Sequence, residues 1–214
     1  MSSSKPSIFI GVPTLGDVRV ELAINWLRWV TNPRYQVTIY PTLNVQPTPV
    51  ARNQIVKAFL DSNCEYLLMI DSNVIPPQNI LDLALLDKDI VGGVCFICKD
   101  NKLIPVVLKE VPNGFSVYDD LPSNTLMEVD AIGTGCIMIK RKVLEEWSQP
   151  YFEFRFDVDG MLSIGEDFYF CQKAKSLSYN ILVHTGYLCA HYSSVDLTGI
   201  AQKHLNDLMS TARS

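Results

Sequence analysis

The chain has 214 residues, 48% hydrophobic and 19% charged, which fits a folded protein with a sizeable core and excludes an intrinsically disordered one. Net charge is −5 with no basic run, which sets aside strong non-specific nucleic-acid binding. No apolar run approaches the length of a membrane span, Met1 to Pro6 carry no signal-peptide core, and six scattered cysteines in mostly apolar surroundings fit a reduced, cytoplasmic protein.

Ser7–Val12 reads as a buried first strand ending at Pro13-Thr14. Asp17 is the expected N-cap of a helix through Val30, with Val20, Leu22, Ile24, Leu27 and Val30 as its apolar surface. Tyr35–Tyr40 is a second strand. A loop with Pro41, Pro47 and Pro49 leads into a helix from Val50 to Asp61 carrying Ile55, Val56, Phe59 and Leu60. Tyr66–Ile70 is apolar or aromatic without alternation, as a strand covered on both faces requires. A helix from Pro77 to Leu86 and a strand over Ile90–Ile97 follow. This strand–helix alternation predicts right-handed crossovers and a largely parallel α/β sheet with helices on both faces.

The second half reads differently. Leu103–Val111 and Gly114–Tyr118 are short strands around a turn at Pro112-Asn113-Gly114. Glu128–Lys140 is an extended run broken at Gly133-Thr134-Gly135, with a short helix after it near Lys142–Trp147. Gly165-Glu166-Asp167 opens a helix whose apolar stripe is Phe170, Cys171, Ala174 and Leu177. Tyr179–Val183 and Tyr187–Ala190 are strands, the second closed by His191, and an amphipathic helical tail is expected from Leu197 to Arg213. No linker separates the halves, so one domain is expected: a nucleotide-binding part over about 7–100, an acceptor and catalytic part over about 101–196, and the tail over 197–214. Cys95-Phe96-Ile97-Cys98 has the spacing of a metal or redox motif, but in a strand positions i and i+3 point to opposite faces. Core thiols are expected.

The chemistry gathers where strands end. Asp71 stands at the carboxyl end of the Tyr66–Ile70 strand, the edge where open α/β sheets bind ligands, and Asn73 can add a second oxygen. Two such oxygens suit a divalent cation and the phosphates it carries, although a plain Asp/Asn turn has the same residues. Pro13-Thr14, Glu166-Asp167 and His191 fall at comparable strand ends or helix starts.

The order of Ile8-Phe9-Ile10-Gly11-Val12-Pro13-Thr14, Ala51-Arg52-Asn53, Leu67 to Pro77, Ala131 to Ile139, Gly165-Glu166-Asp167-Phe168 and Cys189-Ala190-His191 resembles a GT-A fold glycosyltransferase of the family 2-like type. The resemblance implies a GT-A-like Rossmann-type nucleotide-binding domain with a mixed, mostly parallel sheet. It implies a nucleotide-sugar donor, an acceptor hydroxyl and a divalent metal, Mn²⁺ or Mg²⁺. By position, Pro13 and Thr14 would line the base and ribose pocket, and Arg52 would face the diphosphate or sugar. Asp71, Ser72 and Gly135 would flank the donor. Asp71, Asn73 and His191 would hold the metal. Asp167 would be the base of an inverting reaction, and Glu166 would contact the acceptor. The chain departs from the family's Asp-x-Asp motif at Asn73, which keeps an oxygen and loses the charge. At the start of a helix, Glu166 and Asp167 are both expected to stay ionised. Two alternatives stay open: a haloacid-dehalogenase-type phosphatase with Asp71 as nucleophile, and a non-catalytic sugar-nucleotide-binding protein.

Overall fold

A computed structural model describes residues 5–99, 102–112, 114–118 and 120–193, so the tail helix expected from Leu197 lies outside the described residues. The first half supplies strands β1 (Ser7–Thr14), β2 (Gln36–Leu43), β3 (Tyr66–Ile70) and β4 (Ile90–Val94). The second supplies β5 (Leu126–Val129), β6 (Cys136–Lys140) and β7 (Ile181–Leu188). They form one sheet in the order β5-β7-β4-β6-β3-β1-β2. β2, β1 and β3 are parallel, as are β4 and β7, while β6 runs antiparallel between β3 and β4 and β5 antiparallel on β7. The sheet is therefore mixed rather than uniformly parallel. Its two halves interleave at β6.

Both faces of the sheet are covered, which is why its strands read as unbroken apolar runs. Phe9, Leu67, Met69, Ile137 and Ile139 point into one core with Ile55, Phe59, Phe152 and Phe170. Their neighbours Ile8, Ile10, Leu68, Ile70 and Met138 point into the other with Leu22, Trp29, Ile80 and Leu83. Helices α1 (Val20–Val30) and α2 (Thr48–Leu60) cover opposite faces, and α2 lies so close to β1 that a Cβ on Gly11 would overlap Ile55.

Several expectations shift. Asp17 does not cap α1. Arg19 takes that position, and Thr14 Oγ1 donates to Asp17 O and accepts from Gly16 N, so the intervening residues form a turn. Of the expected apolar surface, helix α1 buries Leu22, together with Asn25 and Trp29: Asn25 is drawn inward by Pro76 O (3.1 Å) and Trp29 by Gln78 O (2.8 Å), which leaves Val20, Ile24, Leu27 and Val30 exposed. The segment after Pro77 is a 3₁₀ helix, Ile80–Leu86, buried through Ile80, Leu81, Leu83 and Ala84. The Ile90–Ile97 strand breaks at Cys95 into β4 and Phe96–Lys99, which pairs with Lys102–Pro105. Cys95 is buried and Cys98 exposed, opposite faces as expected, so Cys98 is not a core thiol. Leu177, at the end of the predicted stripe, is also exposed. β7 joins the two predicted late strands into one, and a hairpin of Arg155–Phe156 and Leu162–Ile164 was not foreseen.

Candidate functional site

The carboxyl ends of β1, β2 and β3 open into a cavity of about 510 Å³. Pro13 and Thr14 from β1 and Asp71, Ser72 and Asn73 after β3 line it, as expected. The sequence reading missed the opposite wall: Val45–Thr48, between β2 and the first turn of α2, and Phe154. The loop between a parallel strand and the next helix at this edge was the available signal for Val45–Thr48. Phe154 had none, because it arrives from the second half. Thr14 is buried and its hydroxyl is committed to the turn, so it shapes the cavity rather than offering a free donor.

A second recess of about 290 Å³ shares Asp71 with the first. Arg52, Gly133, Gly135, Glu166, Asp167 and His191 line it, so all the remaining expected site residues meet there. Gly135 sits close to Asp71: its carbonyl accepts from Asp71 N (3.1 Å), and a Cβ on it would stand 3.3 Å from Asp71 Oδ2, so a larger residue would push that carboxylate aside by a few tenths of an ångström.

Arg52, 4% exposed, ties the recess together. Its Nη2 donates to Asp71 Oδ1 at 3.0 Å and its Nε to Glu166 Oε1 at 3.4 Å. Burial alone would lower its pKa, but Asp71, Glu166 and Asp167 outweigh burial and raise it, so the guanidinium stays charged. Arg52 is thus less a free phosphate ligand than the counter-ion that orients two carboxylates. Glu166 Oε1 is engaged with it in turn.

Asp167 stays mostly ionised at neutral pH, as expected, but the helix start does not set its pKa. Helix α4 (Glu166–Ser176) begins at these acids, yet burial first and the Glu166 charge second raise the Asp167 pKa to about 6, against the hydrogen bond from Phe168 N (2.8 Å) and the pull of Arg52. Desolvation of a carboxylate beside a second acid exceeds a helix-terminus effect of about 1 kcal/mol. A carboxylate with this pKa is mostly ionised at neutral pH and takes up a proton readily.

His191 lies on the short strand Ala190–His191, antiparallel to Val74–Ile75 just beyond Asn73. His191 Nδ1 is 2.8 Å from Phe96 O and Nε2 is 3.2 Å from Asn73 Nδ2, which also donates to Tyr192 O at 2.9 Å. Asn73 and His191 are therefore adjacent.

No protein-family model matches the chain, and neither does any curated protein. Among solved structures, A197 from STIV superposes with a TM-score of 0.60 at 23% identity, over 88% of this chain and 86% of that one. GalNAc-T7, crystallised with UDP, GalNAc and Mn²⁺, superposes with a TM-score of 0.54 at 10% identity over 92% of this chain, which spans 45% of that protein. The fold is that of a GT-A-like glycosyltransferase.

The cavity and the recess lie at the carboxyl edge of the sheet, where the sequence placed them. The phosphatase alternative loses its footing: Asp71 Oδ1 is held by Arg52, β6 runs antiparallel beside its strand, and among the described residues no lysine lines either cavity. The donor set also bears on a cation. Among the described residues no group of three or more His, Cys, Asp or Glu is placed to hold a metal. Asp71, His191 and Asn73 nevertheless bring a carboxylate, an imidazole and a side-chain amide to this part of the site, donor types that fit a divalent ion bringing further oxygens with it, with the Asn73 amide nitrogen rather than its oxygen turned to His191 Nε2.

Proposed function

We propose that the protein is a glycosyltransferase that moves a sugar from a nucleotide-diphosphate sugar to an acceptor hydroxyl with inversion, Asp167 acting as the base. The observation that carries this reading is the adjacency of a cavity large enough for a nucleotide and a carboxylate-lined recess, with Asp71 as their common wall. Pro13 and the Val45–Thr48 loop enclose the nucleotide, and Asp71, Ser72 and Gly135 flank the diphosphate and sugar. Asp167 removes the acceptor proton as the hydroxyl oxygen attacks the anomeric carbon, and the bond from that carbon to the diphosphate oxygen breaks. Arg52 holds Asp71 and Glu166 in place, and the free oxygen of Glu166 contacts the acceptor. A divalent cation, Mn²⁺ or Mg²⁺, would be held by Asp71, Asn73 and His191 and would supply positive charge against the leaving diphosphate. Free thiols at all six cysteines support a reducing, cytoplasmic setting.

The test is a melting-temperature panel of nucleoside diphosphates and nucleotide sugars with Mn²⁺, followed by donor hydrolysis, in which water replaces the acceptor. One nucleotide should raise the melting temperature. Wild type should release the nucleoside diphosphate slowly, and Asp167→Ala should bind the donor without releasing it. No stabilisation by any nucleotide removes the donor site, and unchanged hydrolysis in Asp167→Ala removes Asp167 as base. Asn73 favours a second reading, a binder without turnover. Wild type that binds the donor but neither hydrolyses nor transfers it would establish that reading.

A further inference from the structure

Three hydrogen bonds fix the chemistry of the Asn73–His191 pair. A carbonyl oxygen cannot donate, so His191 Nδ1, 2.8 Å from Phe96 O, carries a ring proton; Tyr192 O turns the Asn73 amide N–H groups toward Nε2, which meets them with its lone pair. Asn73 then faces two acceptors, that lone pair at 3.2 Å and Tyr192 O at 2.9 Å, so both are met by its amide N–H groups and its Oδ1 points elsewhere. The imidazole nitrogen able to meet a cation is occupied by a donor from the same chain, and the oxygen of Asn73 is on the wrong side of its amide. An aspartate at this position has no N–H to offer and could not close the contact.

The charges point the other way. Asp71, Glu166 and Asp167 line the recess against the single guanidinium of Arg52, so an incoming diphosphate meets an excess of negative charge beside Asp71. Positive charge must accompany it. We propose that Asn73 is a latch that keeps the divalent cation off the free protein, so that the cation enters only as the chelate of the nucleoside diphosphate. This rests on the donor reading above. Diphosphate oxygens then complete a ligand set that the protein alone does not present, and the amide must turn away from His191 before Nε2 is available. Loss of two ordinary hydrogen bonds weakens cation binding to the free protein by about 10- to 100-fold.

The experiment titrates Mn²⁺ alone into the full chain by calorimetry, for wild type and Asn73→Asp. Asn73→Asp, with His191 Nε2 released and a carboxylate in place of the amide, should bind Mn²⁺ at least about 10-fold more tightly than wild type. Equal affinities overturn the latch. A measurement on wild type needs no variant to fold: the His191 ring resonances, assigned by their loss in His191→Gln, should stay sharp with Mn²⁺ alone. They should broaden when UDP, GDP, CDP or ADP is added with it. Broadening by Mn²⁺ alone overturns the proposal. If a diphosphate binds as tightly in EDTA as with Mn²⁺, the coupling is wrong while the donor site stands. If none of the four binds under either condition, the donor reading fails and the latch with it.

Discussion

Asp167 shows how burial resets a side chain whose local position argues the other way. Its pKa is about 6 in the fold against 3.8 for an unperturbed aspartate, so the protonated form is the one folding favours. The sign follows: this contribution to stability is full below pH 3.8 and is lost as pH rises through 6. At pH 7.5 the ionised side chain therefore costs stability, at most about 3 kcal/mol for a shift of this size and less once its partial exposure is allowed for. Asp167→Asn should raise the melting temperature at pH 7.5 by a few degrees and change it little at pH 4. An equal shift at both values would refute the titration argument. In wild type, donor hydrolysis should fall below about pH 6 along a single-proton curve. Substitution of Arg52, buried between Asp71 and Glu166, is destabilising because each carboxylate would be left unpaired.

Among the elements, α2 shows how a helix end far from the chemistry is secured. Arg141, the first residue of helix α3 (Arg141–Glu145), reaches the α2 terminus and donates to Phe59 O (2.9 Å), Leu60 O (3.3 Å), Ser62 O (2.8 Å) and Cys64 O (2.7 Å). Phe59 and Leu60 end the last turn of α2, where carbonyls run short of i+4 partners, Ser62 and Cys64 follow it, and the cation also complements the helix terminus. Arg141→Met should cost about 2–4 kcal/mol and lower the melting temperature by about 5–10 °C. Arg141 follows Lys140, which pairs with Tyr66 at the start of β3, whereas the donor cavity lies at the other end of that strand. Nucleotide affinity below the transition should therefore not change. A loss of affinity without a loss of stability would contradict this placement. Helix α1 carries the opposite lesson: two faces of its sequence are apolar, and the hydrogen bonds of Asn25 and Trp29 decide which one is buried.

Across the whole molecule, β6 determines what can fold. It pairs with β3 on one side and β4 on the other, so those two strands of the first half never touch as neighbours. Residues 1–100 contain every element of the expected nucleotide-binding half but leave two apolar central edges open. Expressed alone, this segment should show no cooperative thermal transition and should aggregate. A sharp transition together with nucleotide binding would show that the first half is a domain in its own right. The interleaving also makes the site joint property of both halves, since Asp71 comes from one and Glu166, Asp167 and His191 from the other.

What the amino-acid order determined by itself was the local part. Apolar runs bounded by prolines and acids placed the strands and most helices; strand ends marked Pro13, Asp71 and His191 and a helix start marked Glu166, because backbone propensity and hydrophobic pattern act over a few residues. The tertiary structure alone decided the antiparallel insertion of β6, the inward face of α1, the pairing of Arg52 with Asp71 and Glu166, the raised Asp167 pKa and the closure of Asn73 on His191. Each of these depends on residues 19 to 118 positions apart, or on what an element packs against, and desolvation and charge pairing are set by neighbours in space that no local pattern records.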